Sequence, residues 1–128
     1  MEAQLVMCDT NIFIHWFRGD KQTINKLMDI GLENIIISSI VRMELFLGCE
    51  NKQELLALNK RINKYPIIYI TEQITKQADK FIELYNLSHK LQIPDAFIGA
   101  TAITYNLQLF TYNIKDFRFL PNIRLIQI

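Results

Sequence analysis

The sequence lacks most of the features that mark fibrous, secreted or membrane proteins. Glycine and proline are scarce, with 4 and 3 residues among 128, which excludes collagen-like and linker-type chains. The 2 cysteines are too few for a disulfide framework, so we expect a reduced, cytoplasmic protein. No apolar run approaches the roughly 20 residues that span a bilayer. The first residues carry no basic segment, so we expect no signal peptide.

The sequence also lacks an excess of positive or negative charge. The 14 Lys and Arg residues against 13 Asp and Glu give a net charge of +1, so any nucleic-acid contact must be local. The chain also lacks a Gly-rich phosphate loop, a CxxC pair and closely spaced histidines. What it has is apolar content of 50%, enough for one core, and no repeat or linker. We therefore expect a single domain over residues 1–128.

Short apolar segments alternate with helical patterns along the whole chain. Strands are predicted at 5–8, 34–37, 67–70, 107–111 and, as a short fifth, 125–128. Helices are predicted at 10–17, 21–30, 39–47, 50–64, 72–91 and 95–105. All-apolar strands that alternate with helices predict a parallel sheet covered on both faces, a three-layer α/β/α sandwich. In such folds, ligands bind at the carboxyl ends of the strands.

Four acidic residues fall where this topology brings strand ends together. Asp9 follows the first strand, and Asp116 lies in the loop after the fourth. Glu44 stands about two turns into the helix that Ser38 or Ser39 caps after the second strand. Asp95 begins the helix that leads into the fourth strand. The sequence therefore predicts that all four converge on one edge of the sheet.

Clustered carboxylates repel each other, and a hard divalent cation relieves that repulsion. Taken singly, Asp9 is an ordinary helix cap and Asp95 an ordinary first-turn acid. The joint placement instead favours a site for one or two Mg²⁺ or Mn²⁺ ions. Such a site can promote hydrolysis of a phosphodiester, and nothing else in the sequence offers chemistry.

Four segments contain these acids: Asp9–Ile14, Ile36–Gly48, Pro94–Ala102 and Leu109–Phe117. They are similar, in this order, to a DTN motif, an S-x(4,5)-E-L-x-x-G helix, a D-A-x-I-A-A-T-A helix and an L-x-T-x-N-x-x-D-F segment. In these motifs the chain resembles PIN domains, and specifically VapC-type toxin ribonucleases from type II toxin–antitoxin pairs. The resemblance extends over residues 5–125. It implies a PIN-like sandwich with a parallel sheet of four to five strands.

The resemblance also implies roles for the acids. Asp9, Glu44 and Asp95 would bind the metal, with Asp116 as the fourth acid. Asn113 stands where many relatives carry a second acidic residue, so either Asn113 or Asp116 would face the metal. The groups that would hold these ligands by hydrogen bonds are Thr10, Asn11, Ser38 and Thr111.

The implied activity is metal-dependent endoribonuclease cleavage that leaves a 5′-phosphate and a 3′-hydroxyl. The substrate would be single-stranded or loop RNA, with tRNA as one candidate, because unpaired nucleotides can enter an open edge. Basic side chains that could guide phosphates are Arg18, Lys21, Arg42, Lys115 and Arg118.

The implied partners are a cognate VapB-like antitoxin and a second copy of the chain in a homodimer. The helices after the first two strands carry many apolar residues, which would form a groove for an antitoxin segment or else belong to the core. The residues concerned include Phe13, Phe17, Leu27 and Met28.

Two other interpretations remain open from the sequence, and a third is disfavoured by it. The chain could be a PIN nuclease of RNA processing, or a catalytically silent PIN-like module that binds RNA or protein. A response-regulator receiver would need its phosphorylated Asp directly after the third strand, where this chain has Ile70, Thr71 and Glu72.

Overall fold

A computed structural model describes residues 4–126 of the protein, and a sheet of five parallel strands lies at its centre. The strands are β1 Val6–Cys8, β2 Ile35–Ser38, β3 Ile67–Ile68, β4 Gln108–Phe110 and β5 Arg124–Leu125. Their spatial order is β3-β2-β1-β4-β5, and every neighbouring pair is parallel. β1, β2 and most of β4 are buried, which explains why their sequences are apolar without alternation.

Six α-helices flank this sheet. They are α1 Thr10–Phe17, α2 Lys21–Ile30, α3 Ser39–Leu47, α4 Lys52–Ile62, α5 Glu72–His89 and α6 Ile93–Thr104. Two short 3₁₀ helices, Leu32–Asn34 and Ile114–Asp116, complete the described elements. Side chains of Asp20, Ser38, Asn51 and Thr71 accept N–H hydrogen bonds at the starts of α2 to α5, as expected for these residue types. None of the helices within residues 4–126 is both long and apolar enough to cross a membrane.

The core lies between the sheet and its helices. Its largest fully buried side chains include Phe13, Phe110, Phe117, Met7 and Leu27. Phe13 and Leu27 therefore belong to the core, and the expectation that they line a groove for a partner is wrong. The helical periodicity identified their apolar face, but it could not show that the same face packs on the sheet.

The predicted strands and helices are all present, and the differences concern their ends. α4 begins at Lys52 because Asn51 caps it, and α5 ends at His89 because Lys90 adopts a left-handed conformation with φ of 54°. β5 lies at 124–125, earlier than predicted, and residues 127 and 128 of that prediction lie outside the described part. Pro94 is the second residue of α6.

The chain changes direction across the sheet between β1 and β4. It runs outward from β1 through β2 to β3, and then returns to place β4 on the other side of β1. The residues that directly follow β1 and β4 are therefore neighbours, and Asp9 N–H donates to the Phe110 carbonyl oxygen at 2.9 Å. This switch point is where open parallel sheets bind ligands.

Candidate active site

Asp9 lies at the centre of the edge where the strands end. It is 4% exposed and caps α1, with the Thr10 N–H donating to its Oδ1 at 2.7 Å. The Thr111 hydroxyl donates to Oδ2 at 2.7 Å, and Asn11 Nδ2 donates to the same atom at 3.4 Å. Burial raises the pKa of Asp9, the hydrogen bonds from Thr111 and Thr10 oppose that rise, and the charges of Glu44 and Asp116 add to it. Asp9 is thus both a helix cap and part of an acidic cluster.

Glu44 reaches the same edge from α3. The Thr10 hydroxyl donates to Glu44 Oε1 at 2.7 Å, so Thr10 bridges the carboxylates of Asp9 and Glu44. The Ser38 hydroxyl accepts from the Val41 N–H at 3.1 Å at the start of α3, and within residues 4–126 it has no hydrogen bond to any of the four acids. Ser38 therefore holds Glu44 only through the helix, and the expectation of a direct hydrogen bond to an acid is not met.

Asp95 enters from the first turn of α6 and is partly buried. Burial, and then the charges of Asp9, Asp116 and Glu44 in that order, together raise its pKa from the ordinary 3.8 to about 7. These contributions show that the four carboxylates share one electrostatic environment. The raised pKa of Asp95 thus favours the protonated carboxyl in the metal-free protein.

Asp116 ends the short helix after β4 and is partly buried, whereas the Asn113 side chain is exposed. Asp116 is the one whose charge raises the pKa values of Asp9 and Asp95. Asn113 contributes its backbone: its N–H donates to the Thr111 hydroxyl at 3.0 Å, and its carbonyl accepts from the Asp116 N–H at 3.0 Å. The structure thus brings Asp116 into the electrostatic environment of the acidic cluster, while Asn113 supports the same segment through its backbone.

The predicted supporting residues form a connected hydrogen-bond network around Asp9. Thr111 is fully buried, donates to Asp9 and accepts from Asn113. The side-chain Oδ1 of Asn11 accepts from the Tyr112 N–H at 3.2 Å, so Asn11 ties α1 to the segment after β4. Within residues 4–126, no buried side-chain nitrogen or oxygen lacks a hydrogen-bond partner. Asp9 is therefore held rigidly.

The acidic cluster has no cationic partner in the described part of the chain. The one ion pair between residues 4 and 126 joins Lys76 to Glu72 on α5. No three His, Cys, Asp or Glu side chains in this range stand close enough to hold one ion as placed, so assembly of a metal site requires the carboxylates to draw together. The donors are all oxygens and their charge is uncompensated, a combination that fits Mg²⁺ or Mn²⁺.

A second network beside the site was missed from the sequence. The Tyr112 hydroxyl hydrogen-bonds the buried hydroxyl of Thr23, which also contacts Asp20 Oδ2 at 2.6 Å. Hydrogen bonds from Thr23 lower the pKa of Asp20, so this carboxylate accepts, Thr23 donates to it, and Tyr112 donates to Thr23. Tyr112 directly follows Thr111 in the sequence, which could have marked it as a neighbour of the site. Its hydrogen-bond partner Thr23 lies 89 positions away and could not be identified from the sequence.

A groove of about 650 Å³ lies between α1, α3 and α4, and Glu44 is part of its lining. Ile14, Phe17 and Leu58 supply apolar walls, and Arg61 stacks over Phe17 at 3.8 Å. The groove therefore joins an apolar surface to the acidic cluster.

One of the predicted phosphate guides is already engaged. The Arg42 guanidinium donates to Asn59 Oδ1 at 3.2 Å and lies over the Phe46 ring at 4.5 Å. Arg42 therefore braces α3 against α4, while Lys115 and Arg118 are exposed beside Asp116.

Comparison with known proteins identifies the family. Residues 6–120 match the PIN domain family. The chain is 30% identical over 122 residues to "Ribonuclease VapC19" of Mycobacterium tuberculosis, covering 92% of this chain and 96% of the relative. It is 28% identical over 117 residues to "Ribonuclease VapC1" of Methanocaldococcus jannaschii, covering 91% and 81%. The sequence-based expectation of a PIN domain is confirmed.

Solved structures agree with this result. VapBC2 from Rickettsia felis, bound to a DNA fragment from its promoter, matches with a TM-score of 0.82 and 29% identity over 96% of this chain and 98% of that one. A toxin–antitoxin complex from Klebsiella pneumoniae matches with a TM-score of 0.79 and 29% identity over 95% and 96%. The chain therefore belongs to the PIN domain family, in the group that contains the VapC ribonucleases.

Proposed function

We infer that the protein is a metal-dependent endoribonuclease and the toxin of a VapBC-type toxin–antitoxin pair. The observation that carries this inference is the acidic cluster of Asp9, Glu44, Asp95 and Asp116 at the switch point of a PIN fold. Relatives that match over nearly the whole chain are named VapC ribonucleases, so the likeness includes the elements that carry all four acids. A catalytically silent module would not need to keep this uncompensated charge.

Asp9, Glu44, Asp95 and Asp116 would hold Mg²⁺ or Mn²⁺. When bound, such an ion neutralises the carboxylates, activates a water molecule and stabilises the leaving oxygen of a phosphodiester. Asp95 must lose its proton to serve as a ligand, because its pKa of about 7 leaves part of it neutral.

The surrounding residues prepare this cluster. Thr111 and the Thr10 N–H keep both Asp9 oxygens directed, and the Thr10 hydroxyl fixes Glu44 relative to them. Exposed Lys115 and Arg118 flank Asp116 and would attract the phosphates of a single strand. The protein thus supplies orientation and charge, while the ion supplies the chemistry.

The groove between α1, α3 and α4 is the surface we assign to the antitoxin. It combines apolar walls with Glu44, so it suits an amphipathic segment whose basic side chain pairs with the acidic cluster. Such a segment would silence the enzyme by occupying the place of the metal ion.

We also assign a homodimer to the protein. The support is exposed apolar side chains on α5 and α6, with Leu84, Leu87 and Ile93 exposed by 55%, 92% and 64%. Light scattering of the purified protein at several concentrations tests this assignment, and a mass of one chain throughout would contradict it.

The reaction is tested by incubating purified protein with total RNA in Mg²⁺, in Mn²⁺ or in chelator, and then mapping the cut ends. We expect cleavage with either metal, none with chelator, and 5′-phosphate and 3′-hydroxyl ends. Ends with a 2′,3′-cyclic phosphate, or cleavage in chelator, would contradict the mechanism.

The toxin role has a separate test. Expression of the protein alone should arrest growth, and co-expression with a small adjacent reading frame should give a stable, inactive complex. A protein that cleaves RNA in the tube but is harmless when abundant would instead be a nuclease of RNA processing.

A further inference from the structure

Three aromatic rings pack together where α5 ends. His89, the last residue of α5, stacks on Phe119 with ring centroids 4.0 Å apart and an interplanar angle of 17°. The Tyr85 centroid lies 5.1 Å from that of Phe119 and 5.8 Å from that of His89. By itself, the polar run Ser88-His89-Lys90 indicates only a solvated histidine. We call these three residues the aromatic shelf.

The outer face of the His89 ring is open. Tyr85 is nearer to Phe119 than to His89, so it flanks the stack rather than covering its top. His89 is exposed, and a hydrogen bond between Ser88 Oγ and His89 Nδ1 at 2.7 Å fixes the orientation of its ring. The shelf therefore offers a flat aromatic face that is already ordered.

The shelf is tethered closely to the acidic cluster. Phe119 follows Asp116 by three residues, which limits their Cα separation to about 11 Å. Phe117 between them is fully buried, and the Arg118 N–H donates to the Ile114 carbonyl at 2.9 Å, so this segment is fixed to the core. A group that lies on the shelf is therefore within a few nucleotides of the acids.

Three basic residues lie on the segments that carry the shelf. Lys90 follows His89, and Lys115 and Arg118 lie on the segment that carries Phe119. All three are exposed, and none is in an ion pair within residues 4–126. Aromatic faces beside cationic side chains are the chemistry by which proteins bind unpaired bases and their phosphates.

We propose that the outer face of His89 stacks an unpaired nucleobase of the RNA substrate, next to the phosphodiester that is cut. Phe119 and Tyr85 support the ring, and Lys115 and Arg118 contact the adjoining phosphates. This proposal rests on the proposed function and adds a substrate subsite to it. A base in a duplex cannot reach the shelf without unstacking, so the subsite favours single strands and loops.

Binding of a defined probe tests the proposal. In the Asp9→Asn background with Mg²⁺, the probe is a fluorescein-labelled oligoadenylate of twelve nucleotides, followed by fluorescence anisotropy. Because base–aromatic stacking is worth about 1–3 kcal/mol, we expect His89→Ala to raise the Kd at least about 5-fold. His89→Phe keeps a ring and should stay within about 2-fold of the parent. Gln73→Ala, at an exposed position of the same helix, should do the same.

The ring variant makes the result decisive. An unchanged Kd in His89→Ala, a Kd for His89→Phe as weak as for His89→Ala, or no binding by the parent would overturn the proposal. A changed oligomeric mass with unchanged RNA affinity would also overturn it, and would assign the shelf to a protein interface. Cleavage by the chain with native Asp9 is measured separately. If binding depends on the ring but no cleavage occurs, the proposed nuclease function is refuted and the proposed base-stacking subsite is retained.

Discussion

Replacement of Asp95 by Asn should stabilise the metal-free protein at neutral and alkaline pH. Burial and the neighbouring carboxylates raise the pKa of Asp95 from 3.8 to about 7, so the fold disfavours the charged form. This rise in the pKa corresponds to a penalty of about 4 kcal/mol on the free energy of unfolding when Asp95 is charged. The partial exposure of the side chain reduces that penalty to about 2 kcal/mol. Asn loses the attraction of a carboxylate to the start of α6, about 0.5 kcal/mol. The expected net gain is about 1.5 kcal/mol.

The sign of the pH dependence follows from the same shift. Below pH 3.8, Asp95 is protonated in the folded and unfolded chains and costs nothing. Between 3.8 and about 7 only the folded chain keeps the proton, so the stability of the native protein falls as pH rises. Above about 7 the penalty is complete and constant. The advantage of Asp95→Asn should therefore grow from pH 4 to pH 8.

Urea denaturation of both proteins in chelator, at pH 5 and pH 8, measures this difference. Asp79→Asn, an exposed acid on α5, is the matched control and should leave stability unchanged. Addition of Mg²⁺ should stabilise the native protein more than Asp95→Asn, because only the native chain keeps the full set of ligands. An Asp95→Asn protein that is no more stable at pH 8, or whose advantage is the same at both pH values, would refute the reasoning.

Two further substitutions test how the site is supported, and a third tests the packing of the core. Thr111→Val removes the hydroxyl that orients Asp9, so we expect cleavage to fall about 10–100-fold, measured at saturating metal with Thr111→Ser as the control. Tyr112→Phe removes the donor to Thr23 and should cost about 1 kcal/mol in urea denaturation while cleavage stays within a few-fold; a loss as large as that of Thr111→Val would contradict this division of roles. Gly99→Ala places a Cβ 2.5 Å from Leu120 Cδ1, which is packed in the core, so we expect a loss of about 1–3 kcal/mol, and unchanged stability would show that Leu120 moves freely.

The sequence was sufficient for the sheet and for the edge on which the acids meet. Strands without alternation, such as Ile35–Ser38, required a sheet covered on both faces, and that requirement placed the residues after β1 and β4 together. The family resemblance and the order of elements agreed on Asp9, Glu44, Asp95 and Asp116. The apolar pattern of the strands and the order of the elements are sufficient here, because they determine which strand ends meet without any detail of side-chain packing.

Contacts between side chains of different helices and strands could not be predicted from the sequence. The hydrogen bond of Thr10 to Glu44, and the stack of His89 on Phe119, depend on how helices are rotated and offset against each other. Apolar periodicity on α1 and α2 likewise could not separate core residues such as Phe13 from exposed ones such as Met28. Whether such a residue is buried depends on which other elements cover its helix, and the sequence of that helix alone does not contain this information.

The most direct test of the acidic cluster as the catalytic centre compares cleavage by the native chain with that by Asp9→Asn and Asp79→Asn. A labelled single-stranded RNA is incubated with each purified protein over a titration of Mn²⁺, and folding is checked by circular dichroism. We expect the native chain and Asp79→Asn to cleave with the same metal dependence, and Asp9→Asn to lose at least about 100-fold at every concentration. Native rates in folded Asp9→Asn would contradict the assignment of this cluster as a metal-dependent nuclease centre.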